Sequence, residues 1–155
     1  MHRPLSSRKN KRRSEIVHEM RLNDAPFNKI DLEEKDIELR LYDEKRRRLN
    51  VNDIIIFTHS DDAARQIAVR IISLHRYASF EQLFHDFTPD RCGFENETSA
   101  EDAAQQMGAY YSPELIDALG VIGIGVEKID LLLARGQQLN ERERLLEKLF
   151  PDGLK

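Results

Sequence analysis

Residues 33–48, EEKDIELRLYDEKRRR, alternate with a period of two, and this alternation restricts the fold more than any other feature of the chain. In an extended segment Ile37, Leu39 and Leu41 fall on one face, while Glu38, Arg40 and Tyr42 fall on the other. The apolar face requires a core to cover it. The polar face sets a carboxylate, a guanidinium and a phenol in register, just ahead of four consecutive cations, Lys45, Arg46, Arg47 and Arg48.

The neighbouring segments supply that core. EIVHEMRL (15–22) alternates Ile16, His18, Met20 and Leu22 against Val17, Glu19 and Arg21, which predicts a strand. NDAPFNKIDLEE (23–34) reads as a short helix: Asn23 or Asp24 caps it, Pro26 fits its first turn, and Phe27 and Ile30 recur at helical spacing. DIIIF (53–57) is a buried strand, entered through a left-handed turn at Asn52, and RQIAVRIISLHRY (65–77) is a longer one. Helices follow at SFEQLFHDF, capped by Ser79, and SAEDAAQQMGAY, capped by Ser99. GVIGIGVEKI (120–129) closes the sheet. Its Gly123 and Gly125 lack the third glycine of a dinucleotide fingerprint, so bending or close packing is their expected role. A last helix, LNERERLLEKLF (139–150), starts at an Asn140 cap and gathers Leu139, Leu145, Leu146, Leu149 and Phe150 on one side, either to dock on the domain or to pair two copies in a homodimer.

The order β-α-β-β-β-α-α-β excludes a doubly wound parallel sheet, in which strand and helix alternate throughout. An α+β fold is expected: a small, mostly antiparallel barrel flanked by helices. At 155 residues the chain makes one compact unit without covalent staples. The single cysteine, Cys92, has no partner, and no cysteine and histidine spacing suits a metal, so neither metal nor cofactor is expected. No apolar run is long enough to span a bilayer, and MHRPLSSRKNKRR lacks the apolar stretch of a secretory signal; a cytoplasmic protein with a disordered basic arm over residues 1–13 is the expectation. Charge is uneven: residues 1–48 carry 14 Lys+Arg against 10 Asp+Glu, and the remainder carries 10 against 18. Any polyanion contact must therefore be local and built from the first third of the chain.

Four blocks in order, HEMRLNDAPFNKI, EEKDIELRLYDEKRRRLNVNDIIIF, SLHRYASFEQLF and YYSPELIDALGVIGIGVE, resemble the ASCH domain (activating signal cointegrator homology), a relative of the PUA RNA-binding barrel. The resemblance covers about residues 15–129, giving a division into the arm (1–13), an ASCH, PUA-like domain (14–130) and a C-terminal amphipathic extension (131–155). The family signature, Gly-x-Lys-x-x-Glu-x-Arg, is met by Lys35, Glu38 and Arg40, with Glu33 at the glycine position. A glycine there would end the helix in a left-handed conformation, so Glu33 predicts a re-formed helix end.

The resemblance implies binding of RNA or a modified nucleoside or nucleotide in a cleft between barrel and helices. It also implies two alternatives: a small hydrolase, acting on N4-acetylcytidine or as a ribonuclease with Lys35 and Glu38 as its catalytic groups, or an interaction module without activity. In the amidohydrolase branch a threonine stands three residues after the lysine; here that position is Glu38.

Each candidate has a plain structural reading beside the functional one. Glu38 and Arg40, two apart on a strand, make either a ligand-facing pair or a simple ion pair. Lys35 is a phosphate-binding cation, a general base or a solvated helix-end lysine. Arg21 either contacts ligand or pairs with Glu19. Tyr110, Tyr111 and Ser112 line the far wall of the cleft, where an aromatic ring stacks on a base, or else they pack and cap. Lys45, Arg46, Arg47 and Arg48 lie in a loop and grip an RNA backbone, or are neutralised there by Asp43 and Glu44. His18, on the face of Ile16 and Met20, reads as a hydrogen-bonded core histidine.

Overall fold

The computed structural model describes residues 15–153; the basic arm, residues 1–13, lies outside them. Five strands form one sheet: β1 (Val17–Leu22), β2 (Ile37–Leu41), β3 (Ile54–His59), β4 (Gln66–Tyr77) and β5 (Val121–Ile129), in the spatial order β1-β3-β4-β5-β2. Three of the four pairings are antiparallel, and β1 runs parallel to β3. The parallel pair is possible because a crossover of helix, strand and helix separates the two segments in sequence.

The sheet curls but does not close, which corrects the expected barrel. No ladder joins β1 to β2, the two outer strands. The curl has local causes in β4 and β5. The register slips between Ile71 and Ser73, leaving Ile72 as a bulge that bends β4. Opposite it, a Cβ on Gly125 would lie 2.0 Å from Ser73 Oγ, so only glycine lets the strands approach there.

Both faces of the sheet are covered. Inside the curl Met20, Ile55, Phe57, Val69, Ile122 and Ile124 pack together, closed over by Phe27 and Ile30 of α1 (Asp24–Asp31). At the bottom, His18 Nε2 lies 2.8 Å from Asp53 Oδ2, so this histidine is hydrogen-bonded as its strand face suggested. On one outer flank, Ile37, Leu39 and Leu41 meet α3 (Phe80–Asp86) and α4 (Ala100–Met107) through Leu83, Phe84, Ala103 and Met107. On the other, Ile54, Ile56 and Ala68 receive Ala134 of α6 (Leu131–Leu149).

Three further expectations are corrected. The run Lys45–Arg48 does not lie in a loop: α2 (Glu44–Arg47) is a single helical turn whose Asp43 cap accepts from the Arg46 amide at 3.0 Å. The terminal helix does not begin at Asn140; α6 starts at Leu131, capped by Asp130, and runs through Asn140 without a break. The stretch after Tyr111, read only as part of a block, forms α5 (Pro113–Leu119).

β1 is an edge strand, and its outward backbone groups are met by side chains instead of by another strand. The Val17 amide donates to Glu141 Oε1 at 2.7 Å, Lys45 Nζ donates to the Glu19 carbonyl at 2.5 Å, and Arg40 Nη2 donates to the Arg21 carbonyl at 2.7 Å. Charged side chains thus blunt an edge that would otherwise template pairing with another chain. Two of them, from β2 and α2, staple the seam that strand pairing leaves open.

Candidate functional site

The site is built at that seam. Helix α1 ends in a Schellman turn: the Glu33 amide donates to the Ile30 carbonyl and the Glu34 amide to the Lys29 carbonyl, at 3.0 and 2.8 Å. Glu33 itself has φ 60°, the left-handed conformation that glycine favours. The expected re-formed helix end is therefore corrected: glutamate adopts the glycine geometry, and the chain delivers Lys35 in the glycine-type register.

A 3-10 turn, Pro89–Cys92, fixes the next residue. Arg91 Nε and Nη2 both donate to the Asp36 carboxylate at 3.1 Å, and the Asp36 amide donates to the Arg91 carbonyl. Gly93 follows with φ 97°, and a Cβ there would stand 2.9 Å from Lys35 Cδ. The lysine stem lies across a glycine that has no room for a side chain. The sequence offered no periodic signal for Asp36, Arg91 or Gly93, since their contact joins segments more than fifty residues apart.

Lys35, Glu38 and Arg40 converge. Lys35 Nζ is 2.8 Å from Glu38 Oε1, while Arg40 Nε and Nη2 are both 2.8 Å from Glu38 Oε2. Glu38 is only 3% exposed and Lys35 7%. Burial would push the Glu38 carboxyl up, but the Lys35 and Arg40 charges and their hydrogen bonds outweigh it and hold the group below its ordinary value. On the polar face of β2, Glu38 is buried and Arg40 half-buried, and this face turns into the mouth of the curl.

These residues line a cleft of about 810 Å³ between α1, β2 and the segments flanking α4. Arg21, Tyr110 and Tyr111 line it as well. Tyr111 stacks on Phe80 with 5.9 Å between ring centres, whereas Tyr110 is 67% exposed at the rim. Ser112 does not line the cleft; its Oγ accepts from the Leu115 amide and caps α5. Reading the sequence missed Lys29, Phe94 and Cys92, which also face the cleft. Lys29 had a signal in hindsight, standing one helical turn beyond Ala25, another lining residue. Among the described residues, the Arg21 and Lys29 side chains have no ion-pair partner. Cys92 is buried, and burial pushes its thiol up to about 12, which makes it a poor nucleophile.

The basic run does not line the cleft. Lys45 is engaged on β1, Arg46 Nη1 pairs with Asp43 at 3.0 Å, and Arg48 pairs with Glu44 at 3.0 Å. Arg47 lies 5.4 Å from the centre of the Tyr42 ring. Elsewhere, Glu81, His85 and Glu101 bring their ligand atoms within 4.8 Å of one another, a grouping across α3 and α4 that sequence spacing hides. All three are exposed, and exposed acids cluster without an ion.

Fold and site together define a class of protein: an open, curled α+β sheet with a buried cation–carboxylate–cation triad at the floor of a cleft. Solved structures resemble the fold. The crystal structure of hypothetical protein PH0355 matches with a TM-score of 0.66 and 29% identity, over 74% of this chain and 100% of that one. The solution structure of protein PF0455 from Pyrococcus furiosus matches with a TM-score of 0.58 and 26% identity, over 74% of this chain and 99% of that one. Neither a protein-family model nor a curated protein matches the chain. No helix of the described residues is long and apolar enough to cross a membrane.

Proposed function

We propose that the chain binds RNA or a modified nucleoside in the seam cleft. The observation that carries this reading is local charge. Arg21, Lys29, Lys35 and Arg40 face the cleft against Glu38 and Glu95, an excess of cations in a chain whose formal net charge is −4. Low-dielectric walls concentrate such a field and favour an anionic ligand. Both Glu38 oxygens already accept from the flanking cations, so its part is to hold the Lys35 ammonium and the Arg40 guanidinium in place. Tyr110 offers an exposed ring on which a base can stack. The resemblance of Lys35, Glu38 and Arg40 to the ASCH signature supports the same reading and adds the PUA-like family as its source.

Hydrolysis is the weaker alternative. A lysine ammonium ion-paired with a buried carboxylate has no lone pair to attack with, and Glu38 stands where the amidohydrolase branch carries its hydroxyl. Filter binding of single-stranded and structured RNA at two ionic strengths tests the binding reading. The rim variant Arg21→Ala/Lys29→Ala is expected to bind more weakly and to lower the salt slope by about two counterions. Absence of RNA affinity for the unaltered chain in both buffers would reject it. Incubation with acetylated cytidine and with RNA separates the alternative: turnover abolished by Lys35→Ala would favour hydrolysis.

A further inference from the structure

We infer that α6 is a self-association element, pairing along its exposed face with α6 of a second copy. The first half of the helix is already committed to its own domain. Ala134 is fully buried, Gln137 Nε2 donates to the Glu15 carbonyl at 3.1 Å, and Glu141 accepts from the Val17 amide. The opposite face exposes four large apolar side chains: Leu132 is 73% exposed, Leu139 58%, Leu146 42% and Phe150 46%.

Leu132, Leu139 and Leu146 are spaced by seven, so they form one stripe along the helix, which Phe150 extends. Monomeric proteins rarely leave such a stripe open.

Charge selects the occupant. Arg142 stands on one flank of the stripe, and Glu143 and Glu147 on the other. Parallel pairing about a two-fold axis therefore sets the Arg142 flank of each copy against the acidic flank of the other. The arm of this chain is a poor occupant, because its first fourteen residues contain only Met1 and Leu5 as large apolar side chains. An anionic lipid surface is disfavoured by the two glutamates.

Light scattering of the full chain during size-exclusion chromatography, over a range of concentrations, tests the inference. The expected mass at high concentration is twice the 18.1 kDa of one chain. Leu139→Glu/Leu146→Glu is expected to halve it while leaving the far-ultraviolet spectrum intact, since both positions are exposed in the single chain. Arg142→Glu is expected to weaken the dimer, and Arg142→Glu/Glu143→Arg/Glu147→Arg to restore it. A monomer at every concentration overturns the inference, as does a dimer that survives the double leucine substitution. A monomer that co-sediments with neutral lipid vesicles, or whose stripe is protected from hydrogen exchange, also overturns it by assigning the face to lipid or to the arm.

Discussion

Glu33 carries a backbone conformation that side chains with a Cβ adopt only at a cost, and it does so at the hinge that aims Lys35 into the cleft. Steric strain at φ 60° is relieved when the side chain is removed, and the larger chain entropy of unfolded glycine offsets part of that gain. Glu33→Gly is thus expected to stabilise the protein by about 0.5–1 kcal/mol, a rise of about 1–3 °C in thermal midpoint. A lower midpoint would show that the glutamate makes a compensating contact. Gly93 poses the opposite case. Its φ of 97° and the 2.9 Å approach to the Lys35 stem leave no room for alanine without moving the lysine.

At the scale of elements, the seam between β1 and β2 shows how a charged run acquires unequal duties. Lys45 donates to an edge carbonyl, Arg46 is tied to its helix cap, and Arg47 and Arg48 are exposed, one over the Tyr42 ring and the other paired with Glu44. Lys45→Ala should therefore act on stability, lowering it by about 1 kcal/mol in urea unfolding through the lost edge hydrogen bond. Arg47→Ala/Arg48→Ala should leave stability unchanged and, on the RNA-binding reading proposed above, reduce only the salt dependence of that binding. Equal effects of the two variants on binding would mean that the run acts as one undifferentiated patch. Caps were legible in the sequence at Ser79 and Ser99, whose side chains satisfy amides three residues on. The single turn of α2 was not, because four cations in a row carry no apolar period to announce a helix.

The whole molecule couples the site to stability through Glu38. Its carboxyl is held below its ordinary value of 4.5 in the folded chain, so the folded state binds the proton less readily than the unfolded one. The resulting stabilisation is fully present above that value and is lost as pH falls through the depressed folded value. Glu38→Gln is expected to flatten the fall in urea midpoint between about pH 5 and pH 3, at the expense of lower stability at neutral pH, where buried Lys35 and half-buried Arg40 lose their counter-charge. An unchanged acid slope would mean that other carboxylates govern acid unfolding.

What the sequence determined by itself was local and periodic. Alternation marked β1 and β2, the isoleucine run marked β3, Asn52 took its left-handed turn at φ 77°, and the spacing of positions 35, 38 and 40 brought one carboxylate between two cations. Those features depend on neighbours within a few residues, where backbone geometry dictates which side chains meet. Only the tertiary structure decided that the sheet stays open, that Arg40 and Lys45 span its seam, that Lys29 and Gly93 share the cleft, and that Ser112 does not. Each of these depends on distant segments meeting in space, and no period or spacing along a chain encodes which carbonyl a long side chain will reach.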